Sequence, residues 1–478
     1  MRENKVFSNA RAKFLGTAAG KVLMFVFALF VARRLGVDVF GKFTFAFAYG
    51  SLWAVIMDLG MSVLVMRGFS ISAKDGQEFL SASMAMKPVA VLTGFVPLVI
   101  ALRWFHLDHD TYWLVVLVGA GLAMDCWLRL AQGVFRGLED LWRDSISGVI
   151  QKAIFVSLAV IVISLGAHWD AIGWSFIVGY VAALAYCYLA LKKRGVSLRP
   201  FLDRPIARRA LALGVPLALV DLFTLVYFRI DTVMLEAMIN DRVVGIYNAG
   251  YRLIEAAMIF PMAFLTAAFP SFARSWEGNR EDLLADYQRS MDYLLAVALP
   301  GVALGEVFAP EVIRLFFGAE FMPAVASFRV LLLALLLIYP NYVLTQLLIA
   351  ANRQGTYAIF VAGCAVVNVV LNLFLIPSMA EVGAGIATVM TEAVLLALCV
   401  AWVMRRVGPL SLKKAAYFVI YSAILGLLSW TIKRWSLWAS IALSAAGTFV
   451  LLDLAVGLRK AILGKSSAED KDRDENRH

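Results

Sequence analysis

Long runs of apolar side chains constrain this chain more than any other feature of its sequence. Stretches such as VLMFVFALFV (22–31) and FRVLLLALLLIY (328–339) are almost continuously apolar. Hydrophobic residues make up 62% of the 478 residues and charged residues only 16%, whereas soluble domains carry about 45–50% and about 25%. A soluble protein of this composition would expose too many apolar side chains, and the strands of membrane barrels alternate apolar with polar residues. The sequence therefore predicts an all-α polytopic membrane protein.

Charged residues, glycine and proline divide the apolar sequence into about 14 segments, each near the length of about 20 residues that crosses a bilayer. The expected spans are 13–33, 42–65, 80–102, 112–134, 146–165, 170–191, 210–235, 244–269, 291–317, 326–350, 356–376, 383–404, 414–432 and 436–457. We expect an N-terminal six-helix lobe (1–191), a cytoplasmic linker (192–209), a second six-helix lobe (210–404), two further helices (405–457) and a cytoplasmic polar tail (458–478).

The distribution of lysine and arginine predicts the orientation of the chain. With the N-terminus in the cytoplasm, 29 of the 44 basic residues fall in loops on the cytoplasmic side and 8 in loops on the opposite side. Because basic residues accumulate in cytoplasmic loops, both termini are expected in the cytoplasm. The basic residues in these short loops account for the net charge of +10. A nucleic-acid-binding surface would instead place cations and aromatic residues together on one face, so the charge does not indicate nucleic-acid binding.

A weak internal repeat predicts how the spans are arranged. The segment VDVFGKFTFAF (37–47) aligns with DRVVGIYNAGY (241–251) at a shift of 204 residues, which places Gly41 on Gly245. A second pair, AIGWSFIV (171–178) and GAGIATVM (383–390), has a similar shift. Two six-span halves share one orientation because six is even, so they form parallel repeats about an axis along the membrane normal. Two such lobes around a central cavity are typical of a transporter.

Four stretches resemble the polysaccharide transporter family, the Wzx-type oligosaccharide flippases of the multidrug/oligosaccharidyl-lipid/polysaccharide flippase superfamily. The segment VYFRIDTVMLEAMINDRVVGIYNAGY and its continuation (226–274) is similar to the seventh and eighth spans of that family. ARRLGVDVFGKF and the residues after it (32–67) resemble the first hairpin. NVVLNLFLIP (368–377) and EVGAGIATVMTE (381–392) resemble the eleventh and twelfth spans, and the likeness runs from about residue 7 to about residue 404.

This resemblance implies a transporter and not an enzyme. It implies a flippase that moves a polyprenyl-diphosphate-linked oligosaccharide from the inner to the outer leaflet of the cytoplasmic membrane by alternating access, for surface polysaccharide or glycan biosynthesis. The glycan and the diphosphate would lose their water without replacement partners if they crossed hydrocarbon unaided. A cavity lined by cations would lower that cost while the lipid tail stays in the bilayer.

Basic residues inside the spans are the candidate diphosphate contacts, because charges within a membrane are costly and usually functional. Lys21, Arg229 and Arg252 lie in the spans that line the cavity in similar proteins. The alternative for the two arginines is neutralisation by a neighbouring acid, since Asp231 is two residues from Arg229 and Glu255 is three residues from Arg252.

A second group of candidate contacts lies in the fourth and fifth spans. Asp125 and Arg129 are four residues apart and share a helix face, and Lys152 of the fifth span is expected to join them. A structural ion pair is an equally good interpretation of these residues. Relatives that flip lipid II carry a cation in the second span, but this sequence offers only Lys42 at the edge of that span.

Transport needs an energy source, and the sequence has no GxxxxGK[ST] phosphate-binding loop for ATP. We therefore expect coupling to Na⁺ or H⁺, without another cofactor and without a resident metal. Oxygen ligands suit Na⁺-like ions, and four residues of the seventh, eleventh and twelfth spans supply them: Asp231, Asn368, Asn372 and Thr388. Relatives that flip lipid II hold such a site between these spans, often with an acid where Asn372 stands. Glu255 and Glu392 are alternative proton carriers, and polar contacts between helices are the alternative for the whole group.

Two other functions stay open on the sequence. An ion-coupled multidrug exporter of the same superfamily would favour acids and aromatic residues over lysine and arginine in its cavity. An integral-membrane glycan polymerase or ligase would need a large extracytoplasmic loop, whereas the loops on that face are short. The expected partners are a lipid-linked oligosaccharide, membrane lipids and glycan-assembly proteins, with no nucleic acid, and the protein is expected to be a monomer.

Overall fold

The computed structural model describes residues 2–409, 411 and 413–456. The polar tail predicted for 458–478 lies outside these residues. The described chain forms fourteen α-helices and no strand. They are α1 (Arg2–Asp58), α2 (Met61–Ile71), α3 (Ala73–Ala101), α4 (His109–Gly137), α5 (Leu141–Ser164), α6 (Ala171–Lys193), α7 (Arg204–Met238), α8 (Asp241–Ala257), α9 (Ile259–Glu277), α10 (Arg280–Phe316), α11 (Ala324–Ala350), α12 (Gln354–Arg406), α13 (Lys413–Lys433) and α14 (Leu437–Val456).

The prediction of an all-α polytopic membrane protein is confirmed. Ten segments of the described chain are long and apolar enough, by length and composition, to cross a membrane, and two shorter apolar helices accompany them. The segment 354–406 is one 53-residue helix that holds two predicted spans, and a break at Ala380 (φ 46°, ψ −125°) separates them. The first two predicted spans likewise share α1, which breaks at Gly36 (φ 84°) where only glycine adopts that backbone without strain.

The second predicted span is not one continuous helix. It breaks between α1 and α2, where Leu59 (φ 49°) and Gly60 (φ 69°) are left-handed. The eighth predicted span passes from α8 to α9 at Met258, where the backbone stays helical (φ −67°, ψ −13°), and the two helices form one apolar segment of 37 residues. Pro261 has no N–H to donate to the carbonyl of Ala257, and the Tyr339 hydroxyl donates to that carbonyl instead at 2.9 Å.

The described chain forms two compact units. The first contains residues 1–248 and 372–381, and the second contains 249–371 and the residues from 382 onward. The predicted lobes, with their boundary at 192–209, stay a prediction. In the first unit α1 packs against α3, α4, α5 and α7, and α6 packs against α4 and α5. An aromatic cluster fills its core, in which the rings of Phe27, Phe47 and Phe176 surround Phe155 at centroid distances of 4.9, 6.3 and 5.1 Å.

The second unit is built around α10. This helix packs against α9, α11, α13 and α14, and α13 packs against α14. Ala296, Phe418 and Leu451 are buried together where α10, α13 and α14 meet. Hydroxyl groups of Ser429 and Ser444 lie 2.9 Å apart between α13 and α14, which satisfies polar side chains that would otherwise face hydrocarbon.

Candidate substrate and coupling-ion sites

The first unit holds a group of charges among its membrane helices. On α4, Asp125 accepts a hydrogen bond from Nε of Arg129, which is the i,i+4 pair expected from the sequence. The Arg129 side chain is nevertheless half exposed, at 50%. Within the described residues, the two terminal nitrogens of this guanidinium make no hydrogen bond. An arginine fixed through Nε and open at its fork presents two parallel donors to an oxyanion.

Lys152 on α5 lies beside this arginine. Its aliphatic stem packs over Gly20 of α1, where a Cβ would come within 2.9 Å of the Lys152 Cδ. The ammonium is within electrostatic range of Asp125, Arg129 and Lys13. In the part of the chain that the structure describes, it forms no hydrogen bond or ion pair. Lys152 therefore lies near Asp125 and Arg129, where the sequence places it.

A buried ion pair supports this group from the adjacent helices. The Lys87 ammonium on α3 is fully buried and lies 2.7 Å from Oδ1 of Asp58, the last residue of α1. The Ser62 hydroxyl donates to the other carboxylate oxygen at 2.8 Å. No local sequence pattern indicates this pair, because Lys87 is 29 residues from Asp58. This ion pair connects the end of α1 to α3 next to the break in the second span.

Asp221 on α7 is a charge that the sequence reasoning missed. Its carboxylate is exposed in the structure and lies within electrostatic range of Arg129 and Asp58. The available signal was its place inside the apolar run LALVDLFTLV (217–226) of the seventh span, where a lone acid is costly. Arg129 is thus within electrostatic range of acids on α4, α1 and α7.

The other predicted diphosphate contacts lie in different surroundings. Lys21 on α1 is exposed, and Arg229 on α7 is half-buried; both interact with other residues. Arg252 belongs to the second unit and donates from Nη1 to Glu255 Oε2 at 2.8 Å. That contact is the internal neutralisation by a neighbouring acid that the sequence offered as an alternative for Arg252.

The coupling-ion candidates form two separate polar groups. In the first unit, the buried carboxylate of Asp231 accepts hydrogen bonds from the Tyr247 hydroxyl at 2.8 Å and from the Asn372 amide at 2.5 Å. In the second unit, the buried Asn341 amide donates to Glu392 Oε2 at 2.8 Å. Tyr247 and Asn341 were missed, because an uncharged polar residue within an apolar span gives a weaker signal than an acid.

The remaining members of the predicted ion site, Asn368 and Thr388, both lie on α12. Asn368 is buried on α12, one helical turn before Asn372. The Thr388 hydroxyl donates to the Ala384 carbonyl of its own helix at 3.1 Å. Among the described residues, no group of three or more His, Cys, Asp or Glu side chains is arranged to hold a metal ion. Any Na⁺ would therefore depend on amide and hydroxyl oxygens beside the one carboxylate of Asp231.

These helices and their buried charges define a polytopic α-helical membrane transporter. The chain belongs to the polysaccharide biosynthesis protein family, whose family model matches residues 6–276. The family model of the lipid II flippase MurJ also matches, over residues 149–454.

Curated relatives agree with this assignment. A protein of Haloferax volcanii described as a probable low-salt glycan biosynthesis flippase, Agl15, is 24% identical over 392 residues, which is 80% of each chain. A probable lipid II flippase MurJ of Rhizobium meliloti is 27% identical over 274 residues, which is 54% of this chain and 50% of the relative.

Solved structures share the fold. An inward closed conformation of the lipid II flippase MurJ superposes with a TM-score of 0.76 at 12% identity, covering 94% of this chain and 99% of the other. An inward-facing multidrug resistance transporter of the MATE family has a TM-score of 0.70 at 17% identity, covering 81% of this chain and 94% of the other. Flippases and drug exporters are both built on this architecture, so the fold alone does not define the substrate.

Proposed function

We propose that this protein is a flippase that moves a polyprenyl-diphosphate-linked oligosaccharide from the inner to the outer leaflet of the cytoplasmic membrane by alternating access. Family membership supports flipping of a lipid-linked glycan. The observation that carries the substrate class is the pair of cations Arg129 and Lys152 among the membrane helices, in which the terminal nitrogens of Arg129 and the Lys152 ammonium make no hydrogen bond within the described residues. Ionisable side chains within membrane spans usually mark the path of a substrate or ion, and an arginine with an open fork suits an anion.

The geometry of the two cations suits a diphosphate. Arg129 is held at Nε by Asp125, so its fork is oriented before the substrate arrives. Lys152 adds a point charge from the next helix, over a glycine that leaves room for its stem. A diphosphate carries oxygens on two phosphorus atoms, and a bidentate arginine with a neighbouring ammonium can donate hydrogen bonds to both phosphate groups. A small cationic drug would be repelled by this pair, which makes the multidrug exporter the less favoured function.

The proposal includes coupling to Na⁺ or H⁺. Asp231 with Asn372 is the proposed Na⁺ site, and Glu392 with Asn341 is the proposed alternative for a proton. The proposal also places both termini in the cytoplasm. It includes glycan-assembly proteins as further partners. Translocation breaks no covalent bond, so no catalytic residue is assigned.

Reconstitution tests the proposal. Purified protein in proteoliposomes, given a polyprenyl-diphosphate oligosaccharide in one leaflet, should expose the glycan to a membrane-impermeant lectin in the other. The double variant R129Q/K152Q should lose at least about tenfold in initial rate, because each charge-assisted contact contributes about 1.5–3 kcal/mol.

Two controls make the test specific. R129K/K152R keeps both charges and should retain more activity than the neutral variant. K192Q removes an exposed cation at the end of α6 and should flip at the unaltered rate. Equal rates for R129Q/K152Q and K192Q would refute the assignment of the diphosphate site, and failure of the unaltered protein to expose the glycan would refute the function.

A further inference from the structure

A second cluster of two cations and one acid lies at the predicted cytoplasmic end of the first unit. The Asp144 carboxylate at the start of α5 lies 2.5 Å from the Lys13 ammonium of α1 and 3.8 Å from Nε of Arg136 at the end of α4. The side chain of Asp144 has no exposed surface, whereas those of Lys13 and Arg136 are 45% and 32% exposed. The cluster therefore combines a buried acid with two cations that solvent reaches.

The polar atoms of this cluster are incompletely satisfied. Oδ1 of Asp144 is buried and has no hydrogen-bond partner. Within the described residues, the terminal nitrogens of Arg136 make no hydrogen bond, and only its Nε donates, to the Gln132 carbonyl at 3.3 Å. The 3.8 Å contact between Arg136 and Asp144 is longer than a hydrogen bond. The guanidinium fork of Arg136 is therefore open to an oxyanion, which can take the place of this weak contact.

One face of α4 connects the cluster to the cations inside the fourth and fifth spans. Arg129, Gln132 and Arg136 follow one another at intervals of three and four residues, which puts them on the same side of the helix. That side faces α5, because the Gln132 amide donates to the Ser147 hydroxyl at 3.0 Å. Arg129 and Arg136 are seven residues apart, which is about 10 Å along the helix axis. A diphosphate is shorter than this separation, so it contacts one of the two arginines at a time.

Glycines bring α1 close to α5 along the same path. A Cβ on Gly16 would lie 2.7 Å from the Ser145 Cβ. A Cβ on Gly20 would lie 2.9 Å from the Lys152 Cδ. Lys13 precedes Gly16 by about one turn, and its ammonium is within electrostatic range of Lys152. An anion that leaves Lys13 is therefore already in the field of Lys152.

We propose that Lys13 and Arg136, with Asp144 as their resident counter-ion, form a docking site for the phosphate groups of the lipid-linked substrate. From this site the substrate passes to Arg129 and Lys152. The proposal rests on the proposed flippase function. A substrate phosphate competes with the Asp144 carboxylate for the two cations, which keeps the docking site weak enough to release the substrate into the spans.

The dependence of flipping on substrate concentration tests the docking site. In proteoliposomes of neutral phosphatidylcholine, K13Q/R136Q/D144N should raise the concentration of polyprenyl-diphosphate oligosaccharide that gives half-maximal flipping by about tenfold and leave the maximal rate unchanged. Asp144 is replaced together with the cations because a buried carboxylate without a partner would destabilise the protein. R129Q/K152Q should lower the maximal rate instead, because these cations act after docking.

A single substitution separates docking from a structural role. D144N removes the competing carboxylate and should lower the half-maximal concentration by about threefold. Breaking an ion pair that only held α1, α4 and α5 together would not lower it. The matched control is R143Q/R194Q/D140N, because Asp140 likewise accepts hydrogen bonds from two cations at the same end of the first unit. This control should leave both kinetic parameters unchanged, and the asparagine keeps the cap at the start of α5.

An unchanged half-maximal concentration in K13Q/R136Q/D144N, or an increase in D144N, would overturn the docking site. An effect that appears only when the liposomes contain phosphatidylglycerol would assign the cluster to bilayer headgroups and would overturn it as well. Binding of a fluorescent polyprenyl diphosphate to the full chain in neutral detergent needs no transport, and it should be about tenfold weaker in the triple variant. Failure of the unaltered protein to flip its substrate would refute the proposed function, whereas equal binding by the two proteins would refute the docking site.

Discussion

Single buried charges decide much of the energetics of the first unit. The ammonium of Lys87 has no exposed surface, and its carboxylate partner Asp58 is 9% exposed. Replacing a whole buried ion pair by neutral groups of similar size is often close to neutral, whereas removing one partner leaves a bare charge in a low dielectric. The pair is therefore best probed by comparing single and double substitutions.

We expect Lys87→Met alone to destabilise the protein by about 3–5 kcal/mol, because it leaves the buried Asp58 carboxylate without its ion-pair partner. Asp58→Asn with Lys87→Met should recover most of that loss, since the double variant buries no net charge. Thermal unfolding of the purified protein in detergent, followed by intrinsic fluorescence, measures both. A single variant as stable as the unaltered protein would show that water reaches this carboxylate.

The hydrogen bond from Asn372 to Asp231 gives a second prediction at this scale. Asn372→Ala removes an amide that lies 2.5 Å from the Asp231 carboxylate. The Tyr247 hydroxyl still donates to that carboxylate in the variant. If Asp231 holds the coupling ion, the dependence of flipping on a Na⁺ or pH gradient should change. Flipping is measured under each gradient separately, and N341A serves as the comparison because it alters only the surroundings of Glu392. An identical gradient dependence in N372A and the unaltered protein would remove Asp231 from the coupling mechanism.

Sequence reasoning predicted contacts within one helix better than contacts between helices. The pairs Asp125–Arg129 and Arg252–Glu255 follow from helix geometry alone, and both form. Asp58–Lys87 and Asp231–Asn372 join residues 29 and 141 positions apart, and only the packing of the helices brings them together. No local pattern contains that information.

At the scale of secondary-structure elements, the break in the second span matters most. Hydropathy predicts where a span lies but says nothing about its continuity, because a left-handed residue costs only about 1–2 kcal/mol and leaves the apolar run intact. Gly60 could have suggested this break, whereas α8 and α9 continue through Met258 as one apolar segment. In the first unit the Gly60 break packs closely against α7, since a Cβ on Gly60 would lie 2.6 Å from the Gly214 carbonyl oxygen.

Two glycines with the same backbone preference should therefore respond differently to alanine. Gly60 (φ 69°) faces the Gly214 backbone, whereas Gly166 (φ 88°) has nothing within 4 Å of its Cβ position. Gly166→Ala should cost only the left-handed strain of about 1–2 kcal/mol. Gly60→Ala should lower the unfolding temperature further, because α7 must also move away. Equal unfolding temperatures would mean that the second span can shift at its break without disturbing α7.

At the scale of the whole molecule, composition predicted the fold class, whereas the internal repeat stays a prediction. The orientation in the membrane rests on the basic residues alone, because a helix of given length and hydropathy crosses a bilayer equally well in either direction. The 192–209 segment carries the densest run of cations and is predicted to be cytoplasmic, and the turn between α3 and α4 is predicted to lie outside.

Single cysteines test this orientation directly. The four native cysteines are all buried, so a membrane-impermeant maleimide should report only the introduced residue. H106C, in the exposed turn before α4, should be labelled in intact cells. S197C, exposed between α6 and α7, should be labelled only after permeabilisation, because translocating that loop would carry seven basic residues across the membrane against the positive-inside bias. The opposite labelling pattern would invert the predicted topology.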